Sequence, residues 1–219
     1  MLLLTKTVIA LMAGFLVSTF LGFLIVPLLK ELRLGQKISS YVGTTHKKKE
    51  GTPTMGGLIF ILGSLLTIAY LIFAKKIDYT ANLGIVLLVF IGYAIIGFID
   101  DLLSVKKGNN EGLTIYQKLF MQVIIAIGFF FIYMRSGGQT SLAVATLGID
   151  IEMKWLYGIF ILFVLVGSSN SVNLTDGLDG LAGGLSAIAF IAFSLISLTV
   201  GFEEIGIFLM VLAGSLLGF

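Results

Sequence analysis

Cysteine is absent from this sequence, which excludes disulfide frameworks, thiolate metal sites and cysteine nucleophiles. Histidine occurs once, at His46, so the sequence holds no multi-histidine metal site. A Ser-His-Asp arrangement would have to rest on that residue alone, and a lone loop imidazole reads equally well as a solvated side chain. Charge is scarce too: Asp, Glu, Lys and Arg make up 12% of residues, against about 25% in a soluble domain. What is present is apolar. Hydrophobic residues reach 58% and the mean hydropathy is +1.08, which leaves too little polar surface to keep 219 residues in water. This composition implies a polytopic membrane protein whose chemistry sits in the polar residues between apolar runs.

Seven such runs can be traced, at 7–29, 55–74, 81–99, 114–134, 155–171, 181–200 and 205–219. A spanning helix needs about 20 mostly apolar residues, and lipid cannot satisfy the backbone groups of an open strand. The expected fold is therefore all-α, a transmembrane bundle of about seven helices forming one integral-membrane domain over 1–219. The first run lacks a short apolar core followed by a small-residue cleavage site, so it reads as a retained span. Many of the 27 glycines fall inside the runs, as at 180–184, where they would let helix backbones approach closely. At about 1.5 Å per residue the last run reaches only about 22 Å, short of a hydrocarbon core of roughly 30 Å.

The runs sort the loops onto two sides. One holds Lys30, Arg33, Lys37, Lys47, Lys48, Lys49, Lys106, Lys107 and Lys118; the other holds Lys6, Lys75, Lys76, Arg135 and Lys154. The richer side is expected to be cytoplasmic. The stretch 135–154, polar, glycine-containing and β-branched at Val144, Thr146 and Ile149, reads as an external excursion with a small hairpin as its expected form.

All three cytoplasmic loops carry unusual residue sets. The first runs from Thr45 to Gly57. Its lysines 47 and 48 are explained as a positive anchor, but the hydroxyls of Thr52 and Thr54, flanked by glycines and a helix N-terminus, form a phosphate-binding surface. The second is Asp100-Asp101, placed by the end of the apolar run at a helix C-terminus, where the dipole disfavours carboxylates. Ionisable groups bordering a span are functional candidates, and paired aspartates suit Mg²⁺, which takes one or two carboxylates plus substrate phosphates. The third runs from Asn170 to Gly184 and spaces Asn173, Asp176 and Asp179 three residues apart. On a turn entering a helix that spacing brings them near one another, which a simple Asp-Gly turn does not require. Lys118, about one turn into the fourth helix, is explained by snorkelling to headgroups or by pairing with a phosphate.

These loops carry a resemblance. The motifs His46-x-x-Lys49-x-Gly-Thr-Pro-Thr-Met-Gly-Gly57, Asp100-Asp101, Gly112-Leu-Thr-x-x-Gln-Lys118 and Asn173-Leu-Thr-Asp-Gly-Leu-Asp-Gly180 resemble those of the polyprenyl-phosphate N-acetylhexosamine-1-phosphate transferase superfamily. Within it, the wording is most similar to the phospho-N-acetylmuramoyl-pentapeptide-transferase (MraY) family of bacterial peptidoglycan synthesis. The resemblance implies transfer of phospho-N-acetylmuramoyl-pentapeptide from UDP-N-acetylmuramoyl-pentapeptide to undecaprenyl phosphate, giving lipid I and UMP on the cytoplasmic face of the inner membrane. It implies Mg²⁺ as cofactor, the lipid bilayer as setting, a homodimer, and no nucleic-acid partner. By the same resemblance Asp100 and Asp101 are catalytic, and Asp101 and Asn173 hold metal. Lys49, Thr52, Thr54, Lys118, Asn173, Asp176 and Asp179 meet substrate.

Members of that family have about ten spans. A Gly-Asp-Thr-Gly-Ser segment with a metal-holding Asp follows the helix at which this chain ends, and a histidine-rich loop comes later. Neither occurs in the 219 residues, so the chain is expected to be incomplete at its C-terminus and, taken alone, inactive. A sister transferase using UDP-GlcNAc is the nearest alternative. A transporter is the second, disfavoured because the runs 7–29, 55–74, 81–99, 155–171 and 181–200 hold no ionisable residue, whereas pumps place such groups at depth.

Overall fold

A computed structural model describes residues 2–31, 54–107 and 112–219. The fold is all-α apart from one small hairpin. Seven helices lie among the described residues: α1 (Leu2–Glu31), α2 (Leu58–Phe73), α3 (Ala81–Lys107), α4 (Ile115–Arg135), α5 (Leu156–Thr175), α6 (Leu181–Val200) and α7 (Glu203–Gly218). Five of them, α1 and α3 to α6, are long and apolar enough to cross a membrane. Helices α2 and α7 have 16 residues each and so reach about 24 Å.

Helices α3 and α5 outrun their apolar stretches at their C-terminal ends, and both differences matter for function. Helix α3 continues past Ile99 to Lys107. Leu102, Leu103 and Val105 keep it half-buried beyond the carboxylates, and it ends on Lys106 and Lys107, whose charge suits the negative end of the helix dipole. Asp100 and Asp101 therefore lie in the body of a helix and not at its C-terminus, and the dipole, which acts within the last turn, does not explain them. Helix α5 likewise continues past Ser171 to Thr175, which puts Asn173 in its last turn and leaves Asp176 and Asp179 in the connector.

Helix α7 is the centre of one group. Ile207, Phe208, Val211, Leu212 and Ala213 are buried in it, as expected for a helix apolar all round, and α1, α2 and α6 pack against it. Between apolar helices in lipid the hydrophobic drive is weak, so close approach and polar contacts matter more. At Gly214 a Cβ would stand 2.8 Å from the Leu11 carbonyl carbon, so only glycine admits α1. Ser194 Oγ donates to the Gly206 carbonyl at 2.6 Å, and Thr19 Oγ1 to that of Gly218 at 3.2 Å. The glycines singled out at 180–184 do not act this way: Gly183 and Gly184 meet nothing within 4 Å.

A second group runs α3–α4–α5 in chain order. It touches the first through sparser α3–α7 and α5–α6 packing, and the space between the groups is where the site lies. The expected hairpin is present: β1 (Ser141–Val144) pairs antiparallel with β2 (Ile149–Glu152) between α4 and α5.

Candidate active site

Thr114 and Gln117 set the start of α4. The Gln117 amide donates to Thr114 Oγ1 at 3.3 Å and the Thr114 amide to Gln117 Oε1 at 3.0 Å, a reciprocal cap that satisfies two otherwise orphaned donors. With α4 so anchored, Lys118 in its first turn reaches two other helices. Its ammonium lies 3.5 Å from Asp100 Oδ2 on α3 and donates to Asn173 Oδ1 on α5 at 2.5 Å. The other carboxylate oxygen of Asp100 accepts from the Leu113 amide at 2.7 Å. Lys107 Nζ donates to the Gly112 carbonyl at 3.0 Å, tying the segment before α4 to the end of α3.

Gly112 is required for that approach. A Cβ there would stand 2.6 Å from the Asp100 carbonyl oxygen and 2.9 Å from its Cγ, inside ordinary contact. Asp101, half-buried on the next step of α3, is met by the backbone of Met55. Met55 is itself buried with φ 65°, a left-handed conformation uncommon outside glycine. The turn 54–57 is packed from behind by Phe219, whose ring lies 5.9 Å from that of Phe60.

One turn deeper a second polar link joins the same two helices. Gln122, 1% exposed, accepts from Asn170 Nδ2 at 3.0 Å and donates to Ser169 Oγ at 3.2 Å. Lys118 and Gln122 share a face of α4 at i,i+4, and Asn173 shares one of α5 with Asn170 and Ser169. The α4–α5 seam thus carries two polar rungs, one at the mouth and one buried. Sequence reasoning missed Gln122 and Gly112 as parts of the site. Their signals were there to read: the Thr-x-x-Gln cap fixes the phase of α4, and Gln122 then falls one turn below Lys118.

Two cavities open on these residues. A groove of about 650 Å³ runs between the two helix groups, walled by Phe60, Phe90, Tyr93, Phe98, Leu165 and Val172, and ends at Asp100, Asp101, Lys118 and Asn173. A second cavity of about 740 Å³ lies on the other side of Asp100, Lys118 and Asn173, bounded by Lys107, Thr114, Gln122 and Asn170. The three shared residues form a charged partition between an apolar space and a more polar one.

Of the residues expected to act, the fold brings together Asp100, Asp101, Lys118 and Asn173. Thr54 stands in the turn beside Met55, which lines the groove. Asp176 and Asp179 lie in the exposed α5–α6 connector and line neither cavity; their three-residue spacing from Asn173 does not bring them into the partition, because the helix ends between them. Lys49, Thr52 and His46 lie outside the described residues. Among the described residues no three of Asp, Glu, His and Cys come together.

The model of glycosyl transferase family 4 matches residues 83–219, from the first turn of α3 to the end of α7. A phospho-N-acetylmuramoyl-pentapeptide-transferase signature matches residues 49–61, which include the turn beside Asp101. The phospho-N-acetylmuramoyl-pentapeptide-transferase of Geobacillus thermodenitrificans is 42% identical over 212 residues, covering 97% of this chain and 65% of the relative. That of Bacillus cytotoxicus is 45% identical over 207 residues, covering 94% and 63%. The chain thus spans just under two thirds of the length of these curated relatives.

Proposed function

The chain belongs to glycosyl transferase family 4, and from that premise we propose that it serves the transfer of phospho-N-acetylmuramoyl-pentapeptide from its UDP conjugate to undecaprenyl phosphate, yielding lipid I and UMP. The observation that carries this reading is the Lys118 ammonium held between Asp100 and Asn173 at the end of an apolar groove. A polyprenyl chain suits the groove, and a phosphate at its charged end would meet Lys118. The names of the relatives and the signature at 49–61 favour the muramoyl-pentapeptide donor over UDP-GlcNAc. We place the reaction on the cytoplasmic face of the inner membrane, in a homodimer, from the charge asymmetry of the loops and the family resemblance.

In such a transfer a lipid phosphate oxygen forms a bond to the phosphorus that carries the sugar, and the bond to UMP breaks. The nucleophile is already anionic, so catalysis is chiefly positioning and charge neutralisation. Asp100, engaged by Leu113 and Lys118, orients the lysine. Asp101 lines the groove and not the second cavity, so it is the carboxylate proposed to act on the acceptor phosphate. Lys118 offsets phosphate charge, while Thr54, Asp176, Asp179, Lys49 and Thr52 are proposed contacts of the nucleotide sugar.

The donor types fit Mg²⁺: Asp101 and Asn173 both line the groove and carry hard oxygen donors, which that cation takes together with substrate phosphates. Asp101 and Asn173 would hold the ion, which supplies charge neutralisation at the diphosphate.

The test joins this chain at Phe219 to the segment that follows the matching helix in the Geobacillus relative. UMP release is then measured in membranes with undecaprenyl phosphate and each UDP-sugar. The 219 residues alone are expected to be silent, and the joined protein to turn over the muramoyl-pentapeptide donor in a Mg²⁺-dependent way. Asp101→Asn should insert normally and lose most of that turnover. Near-parent turnover by Asp101→Asn would reduce the aspartate pair to a structural role, and preference for UDP-GlcNAc would hand the chain to the sister reaction.

A further inference from the structure

The hairpin between α4 and α5 takes no part in the site, which lies at the other end of both helices. Its register pairs Leu142 with Ile151 and Val144 with Ile149, while Ala143 opposes Asp150 and Ser141 opposes Glu152. Cross-strand partners share a face and neighbours along a strand alternate. One face therefore carries Leu142, Val144, Ile149 and Ile151, and the other carries two carboxylates with Ser141 and Ala143. Ile151 on the apolar face is 52% exposed, and among the described residues the hairpin's main packing is internal, strand on strand and on the 3-10 turn Ala145–Leu147.

Its attachment keeps it close to the ends of the two helices. Only residues 153–155 separate β2 from α5, a span of at most about 10 Å. The Met153 amide donates to the Thr140 carbonyl at 2.9 Å, and Tyr133 Oη on α4 donates to the Gln139 carbonyl at 2.8 Å. The helix ends bear the marks of a membrane–water boundary. Tyr133 stacks on Tyr157 at 5.9 Å, the Arg135 guanidinium lies 4.6 Å over the Phe131 ring, and Trp155 is 70% exposed. Exposed apolar rows lead up to it, Ile124, Ile127 and Phe131 on α4 and Leu156, Ile159 and Phe163 on α5, each at the i,i+3,i+7 spacing of one helix face.

We propose that this hairpin is a membrane-surface element, laid with its apolar face in the boundary between lipid headgroups and acyl chains and its carboxylate face toward water. The occupant of the apolar face is lipid, because short connectors hold the hairpin at helix ends that carry the basic and aromatic residues of a membrane boundary, Arg135, Lys154 and Trp155. An amphipathic strand pair so placed fixes the roll of α4 and α5 about their axes at the end remote from the charged partition.

The absence of cysteine makes the test direct. Ile151→Cys and Asp150→Cys each give a single labelling site for a nitroxide in the whole chain, reconstituted in phosphatidylcholine vesicles. Collision with oxygen, which concentrates in acyl chains, should be several-fold higher at 151 than at 150, and collision with a water-soluble nickel chelate the reverse. The unsubstituted chain gives a second readout: its lone Trp155 should be quenched by lipids brominated near the headgroup more than by iodide. Nickel access at both sites would put the hairpin in water and overturn the proposal. So would a label at 151 shielded from both reagents, which would mean that protein, a second copy or another segment, covers the face.

Discussion

Gly112→Ala should unseat Asp100 without altering any group that meets substrate. A Cβ at 112 would stand 2.6 Å from the Asp100 carbonyl oxygen, and comfortable contact begins at 3.4 Å. The 112–113 backbone must therefore retreat from α3 by about 0.8 Å, since interiors have little slack. That retreat stretches the 2.7 Å bond from the Leu113 amide to Asp100 Oδ1 to about 3.5 Å, beyond hydrogen-bonding range. A hydrogen bond to a charged group contributes about 1.5–3 kcal/mol, and overpacking alone costs about 1–3 kcal/mol. Both follow from one displacement and do not add in full, so a loss of about 2–3 kcal/mol is expected. Because Asp100 also holds Lys118, the charged partition shifts with it, and a misplacement near 1 Å can lower turnover by about 10²-fold. Two readouts apply: UMP release by the joined protein, and the thermal midpoint of the chain in detergent, which does not depend on the transferase reading. Gly128→Ala is the control, since a Cβ there meets nothing within 4 Å and alanine favours a helix interior by about 1 kcal/mol. If Gly112→Ala matches Gly128→Ala in both readouts, the close approach at Asp100 is not what positions the site.

The buried rung on the α4–α5 seam can be measured by a double-mutant cycle. Gln122→Leu and Asn170→Leu are expected to couple by about 0.6 kcal/mol and at most about 1.7 kcal/mol, the range for hydrogen bonds between membrane helices. Additive losses in the detergent unfolding midpoint would mean the two amides do not support each other. Lys118→Met should lower UMP release by about 10²–10³-fold, as for loss of one preorganised charge-stabilising donor. Lys118→Arg should recover only part of it, because a planar guanidinium does not replace a point charge set between two oxygens. Parent-like turnover in Lys118→Met would remove the lysine from the phosphate's path.

Much of the bundle was legible from residue order because lipid imposes a local rule. Each apolar run had to be a helix, and the seven runs became α1 to α7, with the hairpin between α4 and α5 where expected. The rule fell short at the helix ends that carry the site, where the apolar runs stop at Ile99 and Ser171 but the backbone continues to Lys107 and Thr175. Hydrogen bonding along a helix does not require apolar side chains, and Leu102, Leu103 and Val105 still pack. Those few residues changed the setting of Asp100, Asp101 and Asn173 from loop to helix, and so changed which physical argument applies to them.

The residue types of the site could be named in advance, since carboxylates, a lysine and an asparagine at span borders have few bland explanations. Whether they meet is a different matter. Lys118 and Asn173 are 55 residues apart, and their contact depends on the height and roll of α4 and α5, which no single run encodes. Those are set by contacts between helices: the cap at Thr114, the close approach at Gly112, and the Gln122–Asn170 rung. Asp176 and Asp179 show the converse, as equal spacing along the chain did not carry them into the partition once the helix ended at Thr175. Residue order by itself determined that this chain is a membrane bundle with its charge at the borders of the spans. Only tertiary structure decided which charges face one another, because hydropathy belongs to each residue separately, whereas a site depends on distances between helices.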